Sequence, residues 1–178
     1  MRTEIQAKFI QYLNLEKREK GFTLVELLVV IIVIGILGAI ALPNFLNQDV
    51  KAKQSEAKQN IALVNKTQNS YRAENSQFAT SFDVLAIGSV TGGATGNTSN
   101  YNYAIAGGTD SATVTASAAD SALKSYSGAN TRFSNSASQS VIGNVLCETR
   151  VIGASATVPT INTGTTPTCT ADQKTLSL

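Results

Sequence analysis

The chain has 178 residues, of which 43% are apolar, 15% charged and 6% aromatic. That length suits one modest domain, and without tryptophan any core must be built mainly from aliphatic side chains. The chain has no histidine, which removes the commonest general base and the commonest metal ligand. Its two cysteines cannot form a four-thiolate zinc site. We therefore expect no enzyme, no metal and no cofactor.

The formal net charge of +2 is concentrated at the N-terminus. Residues 1–20 carry five basic and three acidic side chains, whereas residues 21–178 carry nine of each. A neutral body lacks the electrostatic footprint of a nucleic-acid-binding protein. The charge pattern therefore predicts no specific nucleic-acid site, and it places the basic excess directly before an apolar run.

The apolar run occupies residues 27–42 and contains no polar side chain. Extended back to Phe22, it predicts a helix about 31 Å long, which matches a hydrocarbon core of about 30 Å. Three basic residues between positions 17 and 20 predict a cytoplasmic N-terminus, with the rest of the chain exported. A secretory signal peptide is the competing interpretation, but no A-x-A cleavage pattern follows the run.

Glu26 is the acidic residue within this apolar stretch. A carboxylate inside a membrane span costs a few kcal/mol and typically marks a function or a partner. Alternatively, Glu26 lies about 9 Å along a helix from Lys20 and reaches the lipid headgroups. The residues alone leave both interpretations open.

The stretch GFTLVELL at residues 21–28, followed by VVIIVIGILGAIALP, resembles the class III signal of type IV pilins and related pseudopilins. The resemblance covers residues 21–46 closely. It combines a charged leader, a glycine, a phenylalanine, a glutamate at the fifth position and a proline after the run. The long leader and the later segment KAKQSEAKQN also look cyanobacterial.

The resemblance implies that a prepilin peptidase removes the leader, residues 1–21, by cutting after Gly21. The new N-terminus at Phe22 would then be N-methylated. Glu26 would pair with the amino group of Phe22 on a neighbouring subunit as a filament assembles, which offsets the desolvation of both charges.

Gly35, Gly38 and Pro43 are weak positions in a helix, since glycine costs about 1 kcal/mol and proline about 3 kcal/mol relative to alanine. By resemblance to type IV pili, this stretch is expected to lose helical hydrogen bonds in the filament. Close helix packing at the glycines, with a simple kink at the proline, is the alternative.

The fold class expected is α+β, the type IV pilin fold. A helix spans the membrane over residues 22–43 and continues as an amphipathic helix over 44–76, and a β head follows over 77–178. The apolar positions that share one face of the amphipathic half are Leu46, Val50, Ala57, Ile61, Val64 and Tyr71. Its lysines, Lys51, Lys53, Lys58 and Lys66, are expected on a solvated face.

In the head, alternating residues predict strands near 101–105, 112–116, 123–133 and 141–148. These segments suggest a small antiparallel sheet of three or four strands packed on the helix. Asn65 and Asn97 begin short sequences that match the N-glycosylation pattern, a pattern that often arises by chance.

Cys147 and Cys169 both lie in the part expected to be exported, and an oxidising compartment favours a disulfide between them. Such a bridge also matches the disulfide-bounded C-terminal region of many type IV pilins. Free thiols or a metal site are the alternative, although no cluster of histidines or acids accompanies the pair.

The function implied by the resemblance is that of a structural subunit of a type IV pilus, which serves motility, adhesion or DNA uptake. Its partners would be other copies of itself, the prepilin peptidase, the membrane, and the inner-membrane platform and ATPases of the pilus machinery. The precursor would span the inner membrane once, and the filament would be extracellular. The alternative is a type II secretion pseudopilin. Pseudopilins of the G type usually carry a C-terminal calcium site, whereas here Asp172 is the one acid after Glu148.

Overall fold

The computed structural model describes residues 22–90, 92–162 and 164–177, with the backbone alone at residues 43 and 44. The leader and Gly21 lie outside the described residues. The chain divides into two compact units, with the boundary between Leu46 and Asn47.

A single helix, α1, runs over Leu24–Glu74 and contributes to both units. In the first unit, every side chain described between Phe22 and Leu46 is exposed, although most of them are large and apolar. The helix is long and apolar enough to cross a membrane by length and composition. Among the described residues, no protein core covers this apolar part, and its length matches the thickness of a bilayer.

In the second unit, α1 buries one face against a β-sheet. Ala57, Ile61 and Val64 are at most 1% exposed, and Val50 and Tyr71 pack at the edge of the same cluster. Helix α1 ends at Glu74, where the Arg72 guanidinium donates hydrogen bonds to backbone carbonyls. A one-turn helix, α2, follows at Phe82–Leu85.

The loop between α1 and α2 is tied back to α1 by Gln68, which is 1% exposed. The Gln68 amide donates to the carbonyl of Ala79 (2.8 Å) and accepts from its backbone N–H (2.9 Å). These bonds satisfy both backbone groups of a buried loop residue. Phe78 and Phe82 are consequently held in the core, whereas Val84 is 50% exposed.

The sheet is a six-stranded antiparallel meander in the order β1-β2-β3-β4-β5-β6. The strands are β1 Thr95–Asn97, β2 Tyr101–Gly107, β3 Ser111–Ala118, β4 Tyr126–Ser134, β5 Ser140–Thr149 and β6 Gln173–Leu176. The α+β fold class is confirmed. The sequence expectation missed the two edge strands, because they have only three and four residues and show no apolar alternation.

The two faces of the sheet have different coverings. The inner face meets α1 through Tyr101, Tyr103 and Tyr126, all at most 2% exposed. On the opposite face of β4 and β5, a second cluster joins Ala129, Val145 and Cys147 to Cys169. The segment between the two cysteines therefore covers this face.

The covering segment is held by the predicted Cys147–Cys169 disulfide, which the structure contains, with a Cα–Cα distance of 5.7 Å. The side-chain amide of Gln173 adds hydrogen bonds to Ser127 Oγ (2.8 Å) and to the Thr157 carbonyl (2.9 Å). Covalent and polar links thus join the segment to the strands beneath it.

Replacing both cysteines by serine (C147S/C169S) is expected to lower the free energy of unfolding by about 3 kcal/mol, because the bridge closes a loop with a separation of 22 residues. The measurement is thermal unfolding of the detergent-solubilised chain followed by circular dichroism. Reduction of the parent protein should reproduce the effect. An unchanged melting temperature in both cases would contradict the stabilising role.

Candidate functional site

The N-terminus of α1 is organised by a reciprocal pair, Thr23 and Glu26. The backbone N–H and the hydroxyl of Thr23 donate to Glu26 Oε2 at 3.1 and 2.9 Å. The backbone N–H of Glu26 donates to Thr23 Oγ1 at 3.2 Å. This arrangement is a capping box, and its signature, T-x-x-E, stands at residues 23–26. The partner Thr23 was not predicted from the sequence, although the T-x-x-E pattern signals it.

The capping box leaves Glu26 able to bind a further donor. A carboxylate has about four acceptor positions, and the two bonds from Thr23 both end at Oε2. A negative charge in the first turn is also favoured by the helix dipole. The site therefore combines a preorganised carboxylate with remaining capacity for a cationic or N–H donor.

Gly35, Gly38 and Pro43 lie inside α1, which is assigned as helix through all three positions. An added Cβ at either glycine would meet no described atom within 4 Å. Backbone exposed in this way at glycines permits the close approach of another helix. These residues share one helix with Glu26, and Phe22 lies two residues before its start, whereas the disulfide lies in the second unit.

Amide side chains fix the register of α1 on the sheet. Asn60 Nδ2 donates to the Tyr103 hydroxyl (3.0 Å), and Asn65 Nδ2 donates to the Val145 carbonyl (3.0 Å). Asn130 Nδ2 in turn donates to the Asn65 carbonyl (2.7 Å). Buried amide N–H groups are costly to leave unpaired, so one helix position relative to the strands is favoured because it pairs all three donors together.

The two asparagines that match the glycosylation pattern differ in exposure, and a glycine on β4 faces α1 beside one of them. Asn65 is 2% exposed and hydrogen-bonded, so its side chain is inaccessible in the folded head. Asn97 is exposed on β1. A Cβ at Gly128 would lie 2.7 Å from both Asn65 Oδ1 and Ile61 Cγ2, so glycine at this position lets α1 pack closely on β4.

Glu148 is the buried acid of the head, at 9% exposure. Its carboxylate forms ion pairs with Lys58 of α1 (Nζ–Oε2 3.2 Å) and with Lys124, which precedes β4. The Lys58 ammonium also lies 5.5 Å from the ring centroid of Tyr126. Lys58 was expected on a solvated face, and the structure instead pairs it across the helix–sheet contact. No local pattern signals a partner so distant along the chain.

Opposing effects act on the pKa of Glu148. Burial raises it, while hydrogen bonds and charge from Lys124 and Lys58 lower it, and the net result is a pKa below the ordinary value of 4.5. The carboxylate is therefore charged at neutral pH and links α1 to the sheet electrostatically. Among the described residues, no group of three or more His, Cys, Asp or Glu side chains is placed to hold a metal ion.

Comparison with known families gives two matches that fit this geometry. Residues 54–170 match the family model "Type IV pilin-like G and H", and residues 17–42 match the "Prokaryotic N-terminal methylation motif". The first match covers more than half of the chain, and the second includes both Gly21 and Glu26. The chain therefore belongs to the type IV pilin-like family of structural pilins and pseudopilins, as the sequence resemblance predicted.

Curated relatives fall into the two corresponding groups. The chain is 45% identical over 62 residues to the type IV major pilin protein PilA of Myxococcus xanthus, covering 35% of this chain and 28% of that protein. It is 33% identical over 66 residues to type II secretion system core protein G of Dickeya chrysanthemi, which is 37% of this chain and 43% of that protein. For core protein G of Aeromonas hydrophila, the identity is 34% over 65 residues, which is 36% of this chain and 46% of that protein.

The chain thus spans less than half of the length of these curated relatives. No solved structure matches it. The apolar helix and the methylation motif together indicate membrane anchoring.

We expect Glu148→Gln to lower the free energy of unfolding by about 1–2 kcal/mol at pH 7, because two charge-assisted hydrogen bonds are lost from a partly exposed cluster. Since the folded-state pKa is below 4.5, this contribution is present above that pH and is lost as the pH falls through the lowered value. Denaturant unfolding at pH 7 and pH 3 should therefore show a difference between variant and parent that shrinks in acid.

The matched control is Asp110→Asn, which removes the carboxylate of the exposed Asp110–Arg132 ion pair. Its effect should stay below about 1 kcal/mol, as is usual for surface pairs. Equal effects of the two substitutions would contradict a special role for Glu148.

Proposed function

We propose that this chain is a structural pilin subunit, made as a membrane-held prepilin and assembled into a type IV pilus filament, with no catalytic role of its own. The observation that carries the proposal is the methylation-motif match over residues 17–42, which overlaps the start of an apolar helix capped by Thr23 and Glu26. The pilin-like match over residues 54–170 supports the same assignment for the head.

In this proposal the three parts of the chain have separate tasks. Residues 22–43 anchor the precursor and later form the filament core, and the head at 77–178 forms the outer surface. The part between them, residues 44–76, continues the helix as far as Glu74. The prepilin peptidase, the inner-membrane platform and the ATPases of the pilus machinery act on the subunit, with other copies of the chain as its lasting partners. The precursor lies in the inner membrane with a cytoplasmic N-terminus, and the filament is extracellular.

Processing is proposed to cut after Gly21 and to methylate Phe22. Glycine allows a protease to approach the backbone closely, since it has no side chain. The cut leaves a free amino group at Phe22, one residue before the capping box. Leader removal therefore creates a cation in the chain segment that carries the Glu26 carboxylate.

The processing proposal predicts that filaments sheared from cells contain a chain beginning at methylated Phe22. N-terminal peptide and intact mass spectrometry of the sheared fraction make the measurement. The same processed chain confined to membranes would favour a pseudopilin or a minor subunit. A chain that still begins at Met1, or that is cut elsewhere, would overturn the proposal.

Glu26 is proposed to bind the amino group of Phe22 on a neighbouring subunit. In apolar surroundings an unpaired carboxylate and an unpaired ammonium are both costly, and their pairing offsets the two costs and sets the axial register. The capping box holds the carboxylate in position for this contact.

Glu26→Ala is expected to leave membrane insertion intact and to reduce sheared filaments by at least about tenfold, because the intersubunit pair is lost. Thr23→Ala is the matched control, since it removes the capping hydroxyl and keeps the carboxylate. Immunoblots of membrane and sheared fractions give both readouts. Equal loss of filaments in the two variants would show that Glu26 acts by capping the helix, and normal filaments from Glu26→Ala would refute an assembly role.

Gly35, Gly38 and Pro43 are proposed to let α1 lose helical hydrogen bonds locally within the filament. The low helix propensity of glycine and proline supports this role. In the described chain the helix is continuous through these positions, so the loss would accompany assembly.

A subunit of a type II secretion pseudopilus is the second candidate. The specific observation in its favour is the series of relatives named type II secretion system core protein G. The two candidates share the processing step and the N-terminal helix. The sheared-fraction measurement separates them, since the first requires abundant surface filaments.

A further inference from the structure

A groove runs along one side of α1 in the second unit, where the sheet extends beyond the helix. Helix α1 packs on β4 and β5, and β6 continues the sheet past it, which leaves a groove of about 630 Å³. Leu146 of β5 and Leu176 of β6 are cross-strand partners that line it. The lysine groove, as we call it, comprises Lys58, Ala62, Lys66, Asn144, Leu146 and Leu176. Its middle is apolar.

The two lysines of the groove lie toward its two ends. Lys58 and Lys66 are eight residues apart on α1, which is about 12 Å. Lys58 shares Glu148 with Lys124, whereas Lys66 forms no ion pair with any described residue. Lys174, the cross-strand neighbour of Glu148 on β6, adds a further cation beside the Lys58 end. The groove therefore carries an excess of positive charge, although acids and bases balance in the chain after its leader.

An exposed apolar ridge of the opposite charge lies between α1 and α2. Leu63 and Val84 are 42% and 50% exposed. Val84 lines a small cavity with Thr67 and Glu74, and Leu63 lies one helical turn before Thr67. Glu74 and Asp83 are exposed, and neither carboxylate forms an ion pair within the described part of the chain. We call Leu63, Glu74, Asp83 and Val84 the acidic ridge.

The helical period places the two surfaces on different sides of α1. Ala62 and Lys66 are four residues apart and share one side, which lines the groove with β5 and β6. Leu63 and Thr67 each follow by one residue, about 100° further round the helix, and Thr67 meets α2. One copy therefore presents both surfaces in different directions at the same time.

We propose that the lysine groove of one copy of this chain receives the acidic ridge of a second copy. The inference rests on the proposed filament and names the head surfaces through which neighbouring copies meet. Leu63 and Val84 leave water when they pack against the apolar middle of the groove. Glu74 and Asp83 then approach lysines of the partner copy, and Lys66 gains a counter-charge that its own copy does not supply.

The contact joins unlike surfaces. Each copy offers its groove to one neighbour and its ridge to another, so the interface is heterologous. Such an interface builds a ring or an open helical array, whereas a two-fold dimer would bury the same surface on both copies. A heterologous contact suits a filament, since every added copy exposes the surface that the next one needs.

Cysteine cross-linking in the full-length chain tests the contact. The chain's two cysteines form the disulfide, so an introduced cysteine is the only free thiol. Chains with Asn144→Cys in the groove and chains with Val84→Cys in the ridge are expressed together, and sheared filaments are treated with a short bismaleimide. The matched control replaces Val84→Cys by Val158→Cys, another exposed aliphatic position, in the segment that covers the opposite face of the sheet. A non-reducing gel confirms that the variants retain the disulfide.

We expect the Asn144→Cys and Val84→Cys chains to give at least about fivefold more cross-linked dimer than the control pair, because only the ridge is brought to the groove. The double variant Asn144→Cys/Val84→Cys should give a ladder of higher oligomers, since each copy then carries both thiols. Equal dimer from the test and control pairs overturns the inference. A dimer that forms as strongly from Val84→Cys chains alone also overturns it, because that product indicates a two-fold contact.

An exchange of charges tests the electrostatic part of the contact. Lys66→Glu should reduce sheared filaments at least about threefold, because like charges then meet across the interface. Glu74→Lys in the same chain should restore them, since the signs are exchanged on both surfaces. Lys51→Glu is the control, as it makes the same charge change at an exposed position of α1 outside the groove. An equal loss from Lys51→Glu, or a loss that Glu74→Lys does not reverse, contradicts the inference.

The parent chain separates this inference from the proposed function. Sheared filaments of normal yield without the selective cross-link overturn the groove–ridge contact and leave the filament subunit standing. A parent chain that yields no sheared filaments overturns both. Immunoblots of the membrane fraction show whether each variant is made in the parent's amount.

Discussion

The close packing of α1 on the inner face of the sheet is the constraint on which the head depends. Gly128 lets the helix approach β4, and the side-chain Nδ2 groups of Asn65 and Asn130 are hydrogen-bonded in that position. The apolar contacts of Ile61 and Val64 supply the nonspecific part of this packing, whereas the amides select one register. Because the strand order is a simple meander, fixing α1 on β4 and β5 also fixes where each connection of the sheet emerges.

The same helix serves two environments, and its sequence changes character accordingly. Up to Leu46, exposed aliphatic side chains suit lipid or other apolar helices, and from Asn47 onward buried positions are spaced for one face. The capping box of Thr23 and Glu26 begins the apolar part with a polar group that is already ordered. The two halves of α1 therefore suit different surroundings, apolar for the first and a protein core for the second.

The apolar segments and the cysteine pair could be predicted from the sequence, whereas the polar pairs between residues distant in the chain could not. The apolar run, the spacing of Ala57, Ile61 and Val64, and the two cysteines each carry a local or compositional signal. The partners Lys58 and Glu148 lie on elements whose juxtaposition depends on the completed sheet, so no local pattern joins them. The capping box has the local signature T-x-x-E at residues 23–26 and could have been predicted, whereas Glu26 was interpreted only as a membrane or intersubunit charge.

The segment between Cys147 and Cys169 is closed into a loop by the disulfide. It contacts the face of β4 and β5 opposite to α1. Changes in its length cost little, since doubling a closed loop costs only about 0.6 kcal/mol of chain entropy. The outer covering can therefore diverge rapidly in length and sequence while the helix-facing core stays the same. The fold therefore separates an outer segment whose length can change from a helix-facing interior whose packing is fixed by α1.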